Sequence, residues 1–264
     1  MKIGFIGCGN MATAMLKGIL KSGEVKNADM IASAKSDKTR EKIEKELGIQ
    51  KADTNAQVVD FADVVFLAVK PQFLEEVLDE IKDNVKEGQI FISIPPGKTL
   101  QWLGEHLGEG TKIIRTMPNT PAMVGEGMTA ACRNEFVTDE ELEGAKKILS
   151  AFGKVEVVSE HLMDVVVSVS GSSPAYVFMF IEAMADAAVA DGMPRAQAYQ
   201  FAAQAVLGSA KMVLETGKHP GELKDMVCSP GGTTIEAVRV LEEKGLRSAV
   251  IEAMKACTDI AKKM

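Results

Sequence analysis

The chain has 264 residues, of which 46% are hydrophobic and 25% are charged, the balance of a folded globular protein. Its formal net charge of -7 argues against a nucleic-acid partner and against an anionic membrane surface, because both attract basic proteins. The cysteines form no CxxC pair and none stands near a histidine at ligand spacing, so neither a disulfide framework nor a zinc site is predicted. The cysteines are Cys8, Cys132, Cys228 and Cys257.

The sequence also shows no targeting signal. The first ten residues contain no long apolar region and no small-residue cleavage pattern, so we predict no signal peptide. The richest apolar stretch, residues 175–192, contains Glu182 and Asp186, which argues against a membrane span. Thiols without disulfide spacing suit a reducing compartment. We therefore expect a cytoplasmic protein.

The first 160 residues alternate short apolar runs with helical segments. The runs cover residues 2–7, 29–34, 63–69, 89–94, 111–117 and 154–158, with helices predicted at 10–23, 72–83 and 138–151. Ser36 or Asp37 can cap a further helix, which we expect to end at Gly48. Apolar runs separated by amphipathic helices predict a parallel sheet covered on both faces. We therefore assign residues 1–160 to a doubly wound α/β domain.

The second part of the chain is entirely helical in its pattern. Helices are predicted at 174–191, 194–216, 220–227, 233–244 and 246–262. Pro194 suits a helix start and Gly217 a helix end. Small residues dominate these helices, and a single layer of them could hardly bury its own apolar faces. We expect residues 161–264 to be an all-α domain that packs against another subunit; a self-contained bundle is the alternative.

The stretch "GFIGCGNMA" carries the strongest chemical signal in the first part. Gly7, Gly9 and Ala12 form a G-x-G-x-x-A pattern that follows a predicted strand and opens a predicted helix. Gly7 allows a tight turn, Gly9 lets the backbone approach a pyrophosphate, and Ala12 allows close helix–strand packing. The free N–H groups and the dipole of the helix N-terminus then bind the anion. The pattern predicts a dinucleotide site.

The end of the second predicted strand bears on which dinucleotide is bound. NAD-specific sites carry an acidic residue about 20 residues beyond the glycines, where it binds the ribose 2′-hydroxyl. This position falls near Ser33, and Ala34, Lys35 and Ser36 follow it. A hydroxyl and a cation in place of a carboxylate favour a 2′-phosphate, so NADPH is predicted and NADH is the alternative. Lys35 could also be a solvated surface lysine.

Two further strand ends are candidate walls of the cofactor site. "FLAVKPQ" (66–72) runs from a predicted strand into a Lys-Pro turn, and "SIPPGKT" (93–99) follows the next strand. Open α/β sheets bind ligands beyond the carboxyl ends of their strands. The two consecutive prolines would fix the backbone there without placing a charge. The alternative is that both are ordinary turns.

Groups for acid–base catalysis are few. His106 and His219 suit structural or solvated roles, His161 stands at the domain junction, and Tyr176 and Tyr199 lie in no Y-x-x-x-K motif. No residue cluster indicates a metal. Reduction of a ketone commonly needs a proton donor of these types. A protonated imine is already electrophilic and needs mainly positioning, so it fits this inventory better.

Near the C-terminal end, "VCSPGGTTIE" (227–236) interrupts the helical pattern with a proline and two glycines flanked by hydroxyl residues. Thr233 alone could serve as an ordinary helix N-cap. A second anion-binding helix start is the other interpretation, and it would serve a small carboxylate because the first already serves the dinucleotide.

Taken together, these stretches resemble the pyrroline-5-carboxylate reductase family over essentially the whole chain. The matching segments are "GFIGCGNMA", "FLAVKPQ", residues 115–127, residues 170–195 and residues 219–238. The resemblance implies a Rossmann domain joined to an all-helical dimerisation domain, in interlocked dimers that assemble further into a decamer. It implies reduction of Δ1-pyrroline-5-carboxylate by NAD(P)H to L-proline, the last step of proline biosynthesis.

The resemblance also implies roles for individual residues. The substrate would be held by Ser229, Gly231, Gly232, Thr233 and Thr234, with the Thr234 hydroxyl bonded to the ring nitrogen and Glu160 near the same site. The cofactor would contact Ile6, Gly7, Cys8, Gly9, Asn10, Met11, Ser33, Ala34, Lys35, Ser36, Asn55, Val69, Lys70, Pro96, Gly97 and Pro174, with the nicotinamide near Pro96 and Pro174.

Three features depart from the family pattern: Ser173 replaces a usual glycine, Met226 replaces a frequent asparagine, and the pair Pro95–Pro96 replaces smaller residues. They bear on contact details and cofactor preference, and they remove no group that the reaction needs. Another NADPH-dependent imine or hydroxy-acid reductase is one alternative. A non-catalytic NADP-binding sensor is another.

Overall fold

The computed structural model describes all 264 residues. Eight strands are present: β1 (Ile3–Ile6), β2 (Met30–Ser33), β3 (Gln50–Ala52), β4 (Val64–Leu67), β5 (Ile90–Ser93), β6 (Lys112–Met117), β7 (Gly127–Arg133) and β8 (Gly153–Val157). Twelve α-helices are present: α1 (Asn10–Ser22), α2 (Asp37–Lys45), α3 (Asn55–Phe61), α4 (Leu74–Ile81), α5 (Leu100–Leu107), α6 (Asp139–Leu149), α7 (Met163–Val166), α8 (Ser173–Ala190), α9 (Arg195–Thr216), α10 (Pro220–Val227), α11 (Thr233–Glu243) and α12 (Leu246–Ala261).

The strands form one sheet in the order β3-β2-β1-β4-β5-β6-β7-β8. Neighbours from β3 to β6 are parallel, β7 runs antiparallel to β6, and β8 is parallel to β7. The doubly wound α/β fold followed by a helical region is therefore confirmed. The expectation of a wholly parallel sheet is wrong at one pair, because the short connection after β6 returns the chain as a hairpin instead of a crossover.

The core of the sheet lies on both of its faces. Phe5 of β1 and Phe66 of β4 are register partners on one face, and their rings stack with centroids 4.4 Å apart. Ile6 and Leu67, the next residues along, pack on the opposite face. This alternation is why both strands are fully buried and read as continuous apolar runs.

One predicted helix ends earlier than expected, and several observed elements were not predicted. Ser36 caps α2 as expected by accepting the Thr39 N–H, but that helix ends at Lys45, and Gly48 follows with φ +63°. The strands β3 and β7 and the helices α3 and α7 were not predicted. The five helices of the second part begin and end within a residue of their predicted limits.

The chain forms two compact units. The first contains residues 1–172 and 257–264, and the second contains residues 173–256. The second unit exposes many large apolar side chains, among them Phe178, Met179 and Phe201, which are 63–70% exposed. The limits 1–160 and 161–264, as limits of functional domains, stay a prediction.

Candidate active site

The first glycine turn joins the end of β1 to the start of α1. Gly7 has φ +93°, and a Cβ there would lie 2.8 Å from the carbonyl oxygen of Ala68, so only glycine fits. Its N–H donates to the carbonyl of Ser33 at 3.2 Å, which ties the turn to the end of β2. By contrast, a Cβ at Gly9 would meet nothing within 4 Å. The crowded side of the turn faces the sheet, and its open side is free for a ligand.

The N-terminus of α1 is uncapped. Gly9 is its N-cap, no side chain accepts from its first N–H groups, and its first turn contains no acidic residue. Helices α2, α3, α5 and α6 instead begin at a serine or threonine that accepts a backbone N–H. The orphan N–H groups and the dipole of α1 are therefore available to bind an anion, as the sequence predicts. A cavity of about 380 Å³ adjoins this turn, lined in part by Asn10 and Lys42.

Cys8, between the two glycines, is a structural residue of this turn. Its side chain is 4% exposed, and its Sγ lies 3.8 Å from Oγ1 of Thr13. Burial raises the pKa of the Cys8 thiol, and the contact with Thr13 opposes this only in part. The thiol is therefore kept neutral, and the turn offers a ligand its backbone rather than a thiolate.

The end of β2 carries a chain of three polar side chains. The buried Ser33 hydroxyl donates to Oδ1 of Asn55 at 2.6 Å. Asn55 in turn donates through Nδ2 to the Glu80 carboxylate at 2.6 Å. Ser33 and Asn55 were both predicted as cofactor contacts, and the structure brings them together. Glu80 was not predicted, because nothing in the sequence links a residue of α4 to this strand end.

Two basic side chains, Lys35 and Arg40, follow β2 in the sequence. The ammonium of Lys35 lies over the Phe73 ring, 5.0 Å from its centroid. The Arg40 guanidinium donates through Nε to the carbonyl of Ala34 at 2.6 Å. Ser36 uses its hydroxyl to cap α2. Arg40 was not predicted; a basic residue one helical turn after the cap is the signal that could have indicated it.

The remaining predicted cofactor residues lie at neighbouring strand ends. Val69 and Lys70 follow β4, and Pro96 and Gly97 follow β5. Because β2, β1, β4 and β5 are adjacent and parallel, their carboxyl ends share one edge of the sheet. The predicted set from Ile6 to Met11, with the residues after β2, β4 and β5, therefore collects at that edge. Pro174 belongs to the second unit, in the first turn of α8.

The second glycine loop joins α10 to α11 in the second unit. Gly231 has φ +67°, and the Gly232 N–H donates to the carbonyl of Ser229 at 3.0 Å, closing a tight turn. Gly232, not Thr233, is the N-cap of α11, and no side chain caps this helix. The interpretation of Thr233 as an ordinary N-cap is therefore wrong, because Thr233 is already the first helical residue. The loop presents free N–H groups beside the Thr233 and Thr234 hydroxyls.

Glu160 is held by groups of the first unit. Its Oε1 accepts the Leu100 N–H at 2.7 Å and an Arg115 N–H at 3.1 Å. Arg115 is 6% exposed, and Asp164 lies 3.9 Å from its other nitrogen. Burial, followed by the charge of Glu160, raises the pKa of the neighbouring Cys132 thiol to about 12. Glu160 thus acts as the counterion of a buried arginine, a partnership that the sequence did not indicate.

None of the three histidines belongs to either glycine loop. Nδ1 of His106 bonds to the carbonyl of Trp102 at 2.8 Å, and His219 accepts the Gly221 N–H at 3.0 Å as the cap of α10. His161 is exposed. No group of three or more His, Cys, Asp or Glu side chains is placed to hold a metal ion.

One helical run has the length and composition of a membrane span. Residues Glu160–Ala190 reach a mean hydropathy of 1.4, and 11% of the most apolar window is buried. A run of this kind is weak support for a membrane by itself, because an apolar surface covered by a partner subunit has the same composition.

The sheet, the glycine turn after β1 and the uncapped start of α1 define a dinucleotide-binding α/β protein. The family model for pyrroline-5-carboxylate reductase dimerisation matches residues 160–264, and that for NADP oxidoreductase, coenzyme F420-dependent, matches residues 2–97. A pyrroline-5-carboxylate reductase of Escherichia coli is 56% identical over 263 residues, which cover 100% of this chain and 98% of that protein. The chain belongs to the pyrroline-5-carboxylate reductase family.

Solved structures give the same relationship. A pyrroline-5-carboxylate reductase from Coxiella burnetii superposes with a TM-score of 0.92 at 36% identity, covering 99% of this chain and 97% of that one. The Plasmodium falciparum pyrroline carboxylate reductase, solved with NADP bound, gives a TM-score of 0.89 at 30% identity, covering 100% and 97%.

Proposed function

We propose that this protein reduces Δ1-pyrroline-5-carboxylate to L-proline with NADPH, as the last step of proline biosynthesis. The observation that carries the proposal is the pair of glycine-opened, uncapped helix N-termini at α1 and α11. One such site suits a pyrophosphate and the other suits a small carboxylate. Membership of the family and the NADP bound to the Plasmodium relative support the same assignment.

The residues of the first unit fit a dinucleotide. The open side of Gly9 allows a pyrophosphate to approach the backbone, and the first N–H groups of α1 would bind it. Ser33 and Asn55 would bond the adenosine ribose, while Lys35 and Arg40 would favour a 2′-phosphate over a hydroxyl. Residues 33–36 contain no acidic residue at the position where NAD-specific sites carry one, which favours NADPH as the cofactor, with NADH as a weaker one.

The second glycine loop would hold the substrate. The N–H groups of Thr233 and Thr234 would bind the substrate carboxylate, with Ser229 and the two glycines shaping the turn. The Thr234 hydroxyl would bond the imine nitrogen and so fix the ring. NADPH held on the first glycine turn would supply a hydride to the imine carbon. The C=N π electrons then pass to the protonated nitrogen, which becomes a neutral amine, so no separate acid is required.

The exposed apolar surface of the second unit supports a dimer. Side chains such as Phe178 and Phe201 would be buried between subunits, which explains the apolar run Glu160–Ala190 without a membrane. We further infer assembly of these dimers into a decamer, a cytoplasmic location, and no metal, membrane or nucleic-acid partner. Size-exclusion chromatography with light scattering tests this assembly in detergent-free buffer. A stable monomer of 28.3 kDa would contradict it.

The direct test is NADPH oxidation in the presence of pyrroline-5-carboxylate, followed by identification of proline. Turnover that is saturable in both ligands is expected. Binding of NADPH without turnover would instead favour an NADP-binding sensor. Turnover of other cyclic imines at higher kcat/KM would favour a different imine reductase.

A further inference from the structure

The buried side chain of Asn119 connects two parts of the first unit. Asn119 follows β6 by two residues and is 8% exposed. Its Oδ1 accepts the Met128 N–H at 2.8 Å, and its Nδ2 donates to the carbonyl oxygen of Ser170 at 3.0 Å. Since both ends of the amide are bonded, its orientation is fixed. Asn119 therefore ties the end of β6 to the segment that contains Ser170.

That segment is a widened helical turn. Residues Val167–Gly171 form a π-helix, and the Ser172 N–H donates to the Val167 carbonyl at 2.8 Å. A single π turn is uncommon and occurs frequently at functional sites. Gly171 packs on the end of β6 as well, because a Cβ there would lie 2.9 Å from Cε of Met117. The π turn is thus held against the end of β6 by both Asn119 and Met117.

The position of the π turn relates it to one end of the predicted cofactor site. The carboxyl ends of β2, β1, β4, β5 and β6 form a row in that order. If the adenosine lies at β2 and the pyrophosphate at β1, the rest of an extended dinucleotide points toward β5 and β6. The π turn therefore stands at the nicotinamide end of that row.

We propose that Asn119 is a positioning residue that holds the π turn Val167–Gly171 as a wall at the nicotinamide end of the cofactor site. The inference rests on the dinucleotide part of the proposed function and not on the identity of the substrate.

The experiment compares two ligands and two variants. Asn119→Asp keeps the size and the acceptor but loses the donor to Ser170. Asn134→Asp is the matched control, because Asn134 makes the same pair of bonds at the other end of β6, accepting from Ile113 N–H at 3.1 Å and donating to the Thr111 carbonyl at 2.8 Å. The ligands are NADPH and 2′-phospho-ADP-ribose, which lacks the nicotinamide. Their Kd values are measured by calorimetry, and Tm is measured for each variant.

Asn119→Asp is expected to raise the Kd of NADPH about tenfold, the effect of one lost buried hydrogen bond, and to leave that of the fragment within about twofold. Asn134→Asp is expected to lower Tm and change neither Kd. An equal loss of affinity for both ligands in Asn119→Asp, or a change in Tm alone, would overturn the proposal.

If Asn119→Asp does not fold, Gly171→Ala provides a second test of the proposal. Gly171→Ala pushes the π turn away from the flexible end of Met117 and should selectively weaken NADPH; no selective effect would refute the positioning role. Wild-type protein that binds NADPH without reducing pyrroline-5-carboxylate would refute the proposed reaction and leave this comparison of affinities intact.

Discussion

The two glycine loops use the same backbone in very different surroundings. Gly9 and Gly232 are both N-caps, with φ/ψ of -75°/-169° and -78°/169°. The first loop joins a fully buried strand to a helix with six buried residues. The second joins α10 and α11, neither of which has a buried residue. The same glycine N-cap geometry is therefore formed on two very different scaffolds.

The surroundings of each loop determine which residues supply its polar side chains. The first loop offers its backbone and a neutral thiol, and its polar partners come from other strand ends, such as Ser33 and Asn55. The exposed second loop carries hydroxyl groups in its own sequence, on Ser229, Thr233 and Thr234. A rigid sheet lets a site be assembled from distant residues, whereas a surface turn must contain its chemistry in one stretch.

The largest effect is expected for the first loop, on changing Gly7→Ala. The strain of φ +93° and the contact with the Ala68 carbonyl should lower the free energy of unfolding by about 2–4 kcal/mol and abolish NADPH binding. Chemical denaturation and fluorescence titration measure the two quantities. Gly9→Ala is the control: it should leave the free energy of unfolding within about 0.5 kcal/mol and still weaken NADPH binding about tenfold, because its Cβ would occupy ligand space. Unchanged affinity in Gly9→Ala would contradict the assigned pyrophosphate position.

The second loop is tested by Thr234→Ala. Loss of the hydroxyl should reduce kcat/KM for pyrroline-5-carboxylate by about 1–3 kcal/mol, the range for one buried polar contact, with the Kd of NADPH unchanged. Thr234→Ser should retain most of the activity, and Thr233→Ala provides a matched change one residue away. If Thr234→Ala keeps the wild-type kcat/KM, Thr234 has no part in the mechanism.

The contrast between the loops also explains what the sequence could and could not predict. Both loops were predicted as helix starts because glycines, prolines and hydroxyl residues act locally on the backbone. The short strand β3, "QKA", has no apolar run, and β7, "GMTAACR", has Gly, Ala or Cys at four of its seven positions, so neither strand was predicted. The antiparallel pairing of β6 with β7 depends on both strands together, so it cannot be predicted from the sequence of either strand alone.

Partners brought together from distant positions were missed for the same reason. Glu80 is 25 residues from Asn55, and Arg115 is 45 residues from Glu160. The residues that resemble family contacts could be named from the sequence, but the groups that orient them could not. This limit applies most strongly to the first unit, where the site is assembled from several strand ends.

Glu160→Gln tests whether Glu160 has the substrate-binding role that is predicted for it alongside the second loop. Since the carboxylate is already bonded to Arg115 and Leu100, we expect a loss of about 1–2 kcal/mol of stability from the uncompensated arginine, less than for a fully buried pair because Glu160 is partly exposed. The KM for pyrroline-5-carboxylate should change less than threefold. A large rise in that KM at unchanged Tm would instead support the predicted substrate-binding role.

The smallest effect is expected for Lys35→Gln, which tests whether the first loop takes its cofactor preference from the end of β2. Lys35 is exposed, so its attraction to a 2′-phosphate is screened and worth about 0.5–1 kcal/mol, or a two- to fivefold rise in the Kd of NADPH. The Kd of NADH should not change, because NADH has no 2′-phosphate. Lys38→Gln, an exposed lysine in the first turn of α2, is the control for general charge. If Lys35→Gln and Lys38→Gln raise the Kd of NADPH equally, the cofactor preference arises from the general positive charge of this region. If Lys35→Gln changes the Kd of NADPH and of NADH equally, Lys35 does not bind the 2′-phosphate.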